Sequence, residues 1–87
     1  GASSCQVLDS GHDDVLAHTF SGPHGAMLFL HNLDEHERTV ELGDQVGQCD
    51  RPAESFADAE YAALDGEMGR LKLNRWGYRW IRLRFTP

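Results

Sequence analysis

The stretch Leu71-Lys-Leu-Asn-Arg-Trp-Gly-Tyr-Arg-Trp-Ile-Arg-Leu-Arg-Phe85 decides the fold. Two runs there alternate between apolar and polar residues, joined by Asn74-Arg75-Trp76-Gly77. Strict alternation marks half-buried β-strands, and Asn and Gly supply the bend. In the final strand, read as Tyr78 to Phe85, Ile81, Leu83 and Phe85 share one face. That face belongs in a core with Leu28, Leu30, Val40 and Leu42. Tyr78, Trp80, Arg82 and Arg84 share the other. Aromatic residues and Arg are enriched at interfaces, so Tyr78, Trp80 and Arg82 are the domain-interface candidates. Cover by a loop of the same domain is the alternative.

Working outward, Met27-Leu-Phe-Leu-His31 lies in the most apolar run, Ala26 to His31. Its length, bounded by Gly25 and Asn32, fits a central strand covered on both faces. Arg38-Thr-Val-Glu-Leu42 alternates with Val40 and Leu42 inward. A polar turn, Asn32 to Glu37, separates the two, so Met27 to Leu42 reads as a hairpin. Cys5 to Leu8 and Val15 to Phe20 read as strands separated by the turn Asp9 to Asp14, and Ser21 to Gly25 as a loop. Val46 is assigned to a short strand, and Pro52 to Ala57 is extended around Phe56. Asp58 to Leu64 is irregular, Asp65 to Gly69 a turn, and Arg70 to Leu73 a strand. Seven to eight short strands with frequent turns predict an all-β antiparallel sandwich of Greek-key type.

At 87 residues the chain is one domain, with a core of about twenty side chains and no deep cleft. Residues 1–4 read as a tag remnant or linker, and 5–87 as the domain. No run approaches the ~20 apolar residues that span a bilayer, and no signal peptide is visible. A cytoplasmic location is expected. The net charge is −6. Six of the eight basic residues lie between Arg70 and Phe85, and all fourteen carboxylates precede Arg70. This predicts opposite-charge cross-strand neighbours. A nucleic-acid strip is disfavoured, because the overall acidic field repels a polyanion.

Catalytic chemistry finds no support. The carboxylate pairs Glu35/Glu37, Asp13/Asp14 and Glu54/Asp58 are ordinary in an acidic surface, and no nucleophile elbow is present. The five histidines show no zinc spacing; only His31 and His36 flank one turn. No metal or cofactor is expected. Cys5 and Cys49 lack a CxxC spacing and read as free thiols, with a single disulfide between them as the alternative.

Four stretches carry a family resemblance: Cys5-Gln-Val-Leu8, Met27-Leu-Phe-Leu-His-Asn-Leu33, Arg38-Thr-Val-Glu-Leu42 and Trp76-Gly-Tyr-Arg-Trp-Ile-Arg-Leu83. Together they resemble the C-terminal β domain of glycoside hydrolase family 13 (α-amylase-like) enzymes, in particular the trehalose synthase and α-glucosidase group. The resemblance runs from Cys5 to Arg84 and departs between Gly43 and Gly66, where the family's Leu-x-Asp-Leu-Leu strand is missing. It implies a non-catalytic domain whose partner is a TIM-barrel domain carrying the catalytic carboxylates. It also raises a carbohydrate-binding module for α-glucan, with Trp76, Tyr61 and Asn74 as the sugar-binding candidates. A free-standing interaction domain is the third reading; it needs an apolar edge strand, for which Val15 to Phe20 is a poor candidate.

Overall fold

The structure, a computed structural model, describes residues 4–22, 25–46, 52–61 and 70–83. Seven strands and one helical turn follow in order: β1 (Ser4–Val7), β2 (Val15–Gly22), β3 (Gly25–Asn32), β4 (Arg38–Val40), α1 (Gly43–Val46), β5 (Ala53–Ala57), β6 (Leu71–Leu73) and β7 (Tyr78–Leu83). A five-stranded antiparallel sheet runs β1-β2-β3-β7-β5, and β4 pairs with β6 in a second, two-stranded sheet. The all-β sandwich predicted from alternation is therefore what forms.

The core lies between the sheets. Val15, Ala17, Leu28, Leu30, Ile81 and Leu83 come from the larger sheet, and Val40, Leu42, Leu71 and Leu73 from the smaller sheet and its flank. Leu28, Leu30, Val40, Leu42, Ile81 and Leu83 are all essentially inaccessible to solvent, as their alternation required. Phe85, Arg84 and the 62–69 segment lie outside the described residues, as do Cys49 and its pairing.

Several local expectations are corrected. Met27 to Leu42 is not a hairpin: β3 pairs with β2 and β7, whereas β4 crosses to the other sheet and pairs with β6. The two alternating runs around Asn74-Gly77 likewise belong to different sheets. Instead β2 and β3 form the hairpin, with Gly22 opposite Gly25, so strand replaces most of the loop expected at 21–25. Gly25 sits at φ 142, and a Cβ there would lie 2.9 Å from the Leu83 carbonyl oxygen. Only glycine suits that close approach. The central strand β3 is not covered on both faces, since Met27, Phe29 and His31 are only half-buried. Val46 ends a helical turn rather than a strand; its N–H donates to the Leu42 carbonyl at 2.9 Å, and its side chain packs on the core. β2 is interior, and the sheet edges are β1 and β5. β1 begins at Ser4, paired with Ser21.

One core position is charged. Arg79 alternates inward with Ile81 and Leu83 and is 3% exposed. Its Nε and Nη2 donate to Glu54 Oε1 at 3.0 and 2.6 Å, Nη1 donates to the Lys72 carbonyl at 3.2 Å, and its Cζ lies 4.2 Å from the Tyr61 ring centroid. Lys72–Glu37 and Arg70–Glu41 pair at 3.3 Å on the surface. The basic C-terminal strands thus do sit against acidic partners, though the exposed pairs contribute little.

The two sheet faces should respond differently to truncation. Leu30→Ala is expected to destabilise the chain by about 2–5 kcal/mol through cavity formation. Leu16→Ala, on the opposite face, should cost no more than about 0.5 kcal/mol. Urea unfolding of both variants checks this; equal losses would refute the assignment of faces.

Candidate functional site

The face of the five-stranded sheet turned away from the core is the prominent surface. Register fixes its composition. Cys5, Phe20, Met27, Arg82 and Ala53 are aligned across the strands, and so are Val7, His18, Phe29, Trp80 and Phe56, with Leu16, His31 and Tyr78 alongside. A β-bulge between Glu54 and Phe56 shifts the parity of β5. It turns Glu54 in towards Arg79 while Phe56 still faces Trp80.

The rings form a connected layer. His18 stacks on Phe29 at 4.9 Å, Phe29 meets Trp80 edge-on at 5.2 Å, and Trp80 lies 5.5 Å from Phe56. Phe56 stacks on Tyr78 at 5.6 Å, and Tyr78 on His31 at 6.3 Å. Such pairs add to area burial by about 0.5–1.5 kcal/mol each, so the face is ordered before anything covers it. Much of it stays wet: Val7, Leu16, Phe20, Phe56 and Trp80 are exposed large hydrophobics.

No described carboxylate projects from this face, although the chain holds fourteen. Among the described residues Arg82 is its one permanent charge. Burial, reinforced by the neighbouring His18, lowers the pKa of His31 and favours its neutral form. The interface candidates Tyr78, Trp80 and Arg82 all lie here. Their neighbours Phe29, Phe56, Leu16 and Phe20 were missed, because only the register shows which residues of other strands join them.

The sugar-binding candidates occupy the end of the sandwich. Tyr61 and Asn74 are brought together, but around Asp58. The Tyr61 hydroxyl donates to Asp58 Oδ1 at 2.6 Å, the Tyr78 N–H to the same oxygen at 2.9 Å, and Asn74 Nδ2 to Oδ2 at 3.3 Å. The Asn74 N–H donates to the Tyr61 oxygen at 3.1 Å. With Arg79 over its ring, Tyr61 is a structural member of this network. Gly77 closes it: a Cβ there would lie 2.8 Å from the Asn74 carbonyl and 2.9 Å from the Tyr61 hydroxyl.

Trp76 stands apart. It is 62% exposed and carries φ 55, the one positive φ at a non-glycine residue among those described. A bulky residue held in that region costs about 1–3 kcal/mol. The Gly77 N–H donates to the Asn74 carbonyl at 2.8 Å and closes the turn.

Other candidates are locked or dispersed. Glu54 holds Arg79, Asp14 and Asp34 both face Arg38, and His36 lies beside Asp34 and Glu35, away from the stacked His31. Among the described residues no three metal-ligating side chains converge. A shallow cleft of about 410 Å³ between Asp9-His12 and Thr39-Gln45 is polar. Its groups serve the fold: Gln45 bonds both ways to the Asp9 backbone, and His12 Nε2 lies 3.0 Å from the Thr39 carbonyl.

The Asp58 network titrates in a defined sense. Burial, then the hydrogen bond to Asp58, pushes the Tyr61 hydroxyl up to about 12. Folding favours the neutral phenol, so this stabilisation is complete below about pH 10 and is lost as pH rises through about 12. Burial alone would raise the Asp58 pKa, but hydrogen bonds from Tyr61, Tyr78 and Asn74 outweigh it and lower the value. That contribution is present above the ordinary carboxylate range and lost as pH falls below it. Ultraviolet titration should show one tyrosinate forming near pH 12 that Tyr61→Phe removes. Formation of the Tyr61 anion near pH 10 in the folded chain would contradict the network.

A family described as "Sucrose hydrolase-like, C-terminal domain" matches residues 25–82 of the 87. No curated protein matches the chain. The match begins at the first residue of β3 and ends within β7, so it includes the three strands that carry Phe29, Phe56 and Trp80. It supports the α-amylase-like resemblance and names sucrose hydrolases where the motifs suggested the trehalose synthase and α-glucosidase group. The chain belongs to the sucrose hydrolase-like C-terminal domain family, a C-terminal β domain of glycoside hydrolase family 13 enzymes.

Proposed function

We propose that this domain is a non-catalytic scaffold that docks on the TIM-barrel domain of an α-glucoside-processing enzyme through the outer face of its five-stranded sheet. The observation that carries the reading is the carboxylate-free aromatic layer around Trp80. In a chain of net charge −6, none of the described acids projects from this surface. Interfaces of this kind bury about 600–1,500 Å² and concentrate their energy in Trp, Tyr and Arg. Tyr78, Trp80 and Arg82 are those residue types, and Tyr78 and Trp80 are braced by Phe29 and Phe56. Ordering them on docking therefore costs little entropy.

Chemistry is left to the barrel. Hydrolysis of sucrose and the glucosyl transfer of trehalose synthases are both α-glucoside reactions run by paired carboxylates. We assign this domain's enzyme to that substrate class, with either outcome at the anomeric carbon. Coverage of the sheet face secludes its exposed rings and holds the barrel's adjoining helices in place, so the domain acts on stability rather than on the reacting atoms.

The test uses the enzyme that joins this domain to its barrel. Trp80→Ala and Leu16→Glu should each lower its unfolding temperature. In the isolated 87-residue chain, Leu16→Glu should change stability by no more than about 0.5 kcal/mol, since Leu16 is already exposed there. Calorimetry that finds the enzyme's transition unmoved by both changes would overturn the docking reading.

A further inference from the structure

We propose that Trp76 is a rigidly presented anchor for the catalytic domain, extending the contact from the outer sheet face over the adjoining end of the sandwich. The proposal rests on the docking reading above and deepens it. Its starting point is a double cost. The chain accepts a left-handed backbone at Trp76, where Gly or Asn is the unstrained choice, and leaves the indole in water. Neither cost is recovered within the described residues. Strain of that kind is kept where a side chain has work outside its own fold.

The support beneath the indole is stiff. The Trp76 N–H donates to the Asp34 carbonyl at 3.0 Å, and the Asn32 N–H to the Gly77 carbonyl at 2.8 Å. The Asn32 side chain donates to the Asn74 carbonyl at 3.0 Å. The turn is thereby tied to the end of β3, whose outer neighbours His31 and Leu16 belong to the docking face. Leu33, next along the chain, is also exposed, and its N–H is held by the Asp14 carbonyl at 2.8 Å. Exposed apolar side chains are thus found both on the face, at Leu16, and at the end of the sandwich, at Leu33 and Trp76. A single large ring on a fixed backbone suits insertion into a pocket of a protein partner, where Trp is the commonest anchor and its immobilisation costs little. A sugar platform is less well served: Tyr61, the other aromatic candidate, is covered by Arg79, and Asn74 and Asp58 are bonded to each other.

Trp76→Gly separates the strained backbone from the indole. In the 87-residue chain the unfolding midpoint should hold or rise, because glycine relieves the strain. In the joined enzyme the same change should lower the unfolding temperature by about 2–4 °C, the scale of a modest loss in a larger protein. A fall in the isolated chain would show that the indole supports its own fold and would overturn the anchor. An enzyme loosened by Trp80→Ala but not by Trp76→Gly would overturn the anchor and leave the docking reading standing. If neither change loosens it, both fail. Fluorescence quenching by sucrose or a maltooligosaccharide that Trp76→Gly abolishes would make the indole a sugar contact and likewise overturn the proposal.

Discussion

The side chain of Asn32 is the point on which the two sheets depend. It is buried at the end of β3, and every polar atom of it has a partner. Nδ2 donates to the His36 and Asn74 carbonyls at 2.8 and 3.0 Å, and Oδ1 accepts from the Asp34 N–H at 3.0 Å. One amide thereby ties the end of the large sheet to the loop leading into β4 and to the turn leaving β6. An unsatisfied buried amide costs about 1–3 kcal/mol, so the three segments hold together or fail together. The turn from Asn74 to Gly77 is held at that junction, because its Asn74 carbonyl accepts from Asn32.

From this junction the large sheet acquires two unlike faces. One is sealed by Val40, Leu42, Leu71 and Leu73 of the small sheet and is closed to partners. The other is plated with rings that touch one another, and Phe56 and Trp80 among them stay exposed. Packing within the plate makes it stiff, and the exclusion of carboxylates makes it cheap to dehydrate. These are the properties a domain needs in order to sit on a neighbour without chemistry of its own. A C-terminal domain of a family 13 enzyme fits that description, since the reaction needs two carboxylates at fixed spacing and the described residues of this surface offer none.

Alternation along the chain was enough to read the inward set, because Ile81, Leu83, Val40 and Leu42 announce themselves at period two. It could not say which strands pair. The polar stretch Asn32 to Glu37 looks like a hairpin turn, and only the long-range bonds of Asn32 show that it is a crossing between sheets. Arg79 obeyed the inward alternation, but its charge hid it; the cue was Glu54, far away in sequence. The outer face was half legible. Tyr78, Trp80 and Arg82 share one strand and could be found together, whereas Phe29 and Phe56 join them only through register. The bulge in β5, which decides where Glu54 points, leaves no mark in composition. Tyr61 and Asn74 carried polar and aromatic chemistry suited to a sugar, and the fold spends both on Asp58.

The pairing of Arg79 with Glu54 shapes how such a chain can change over time. A lone replacement at Arg79 leaves Glu54 turned inward without its cation, and a lone replacement at Glu54 strands a guanidinium in the core. Either intermediate is poorer than both the starting pair and a well-packed apolar pair. The two positions are therefore separated from their alternatives by a valley that single steps cross with difficulty. A change that removes the ion pair without loss must therefore alter both positions together, and the bulge that aims Glu54 ties the path of β5 to the same pair.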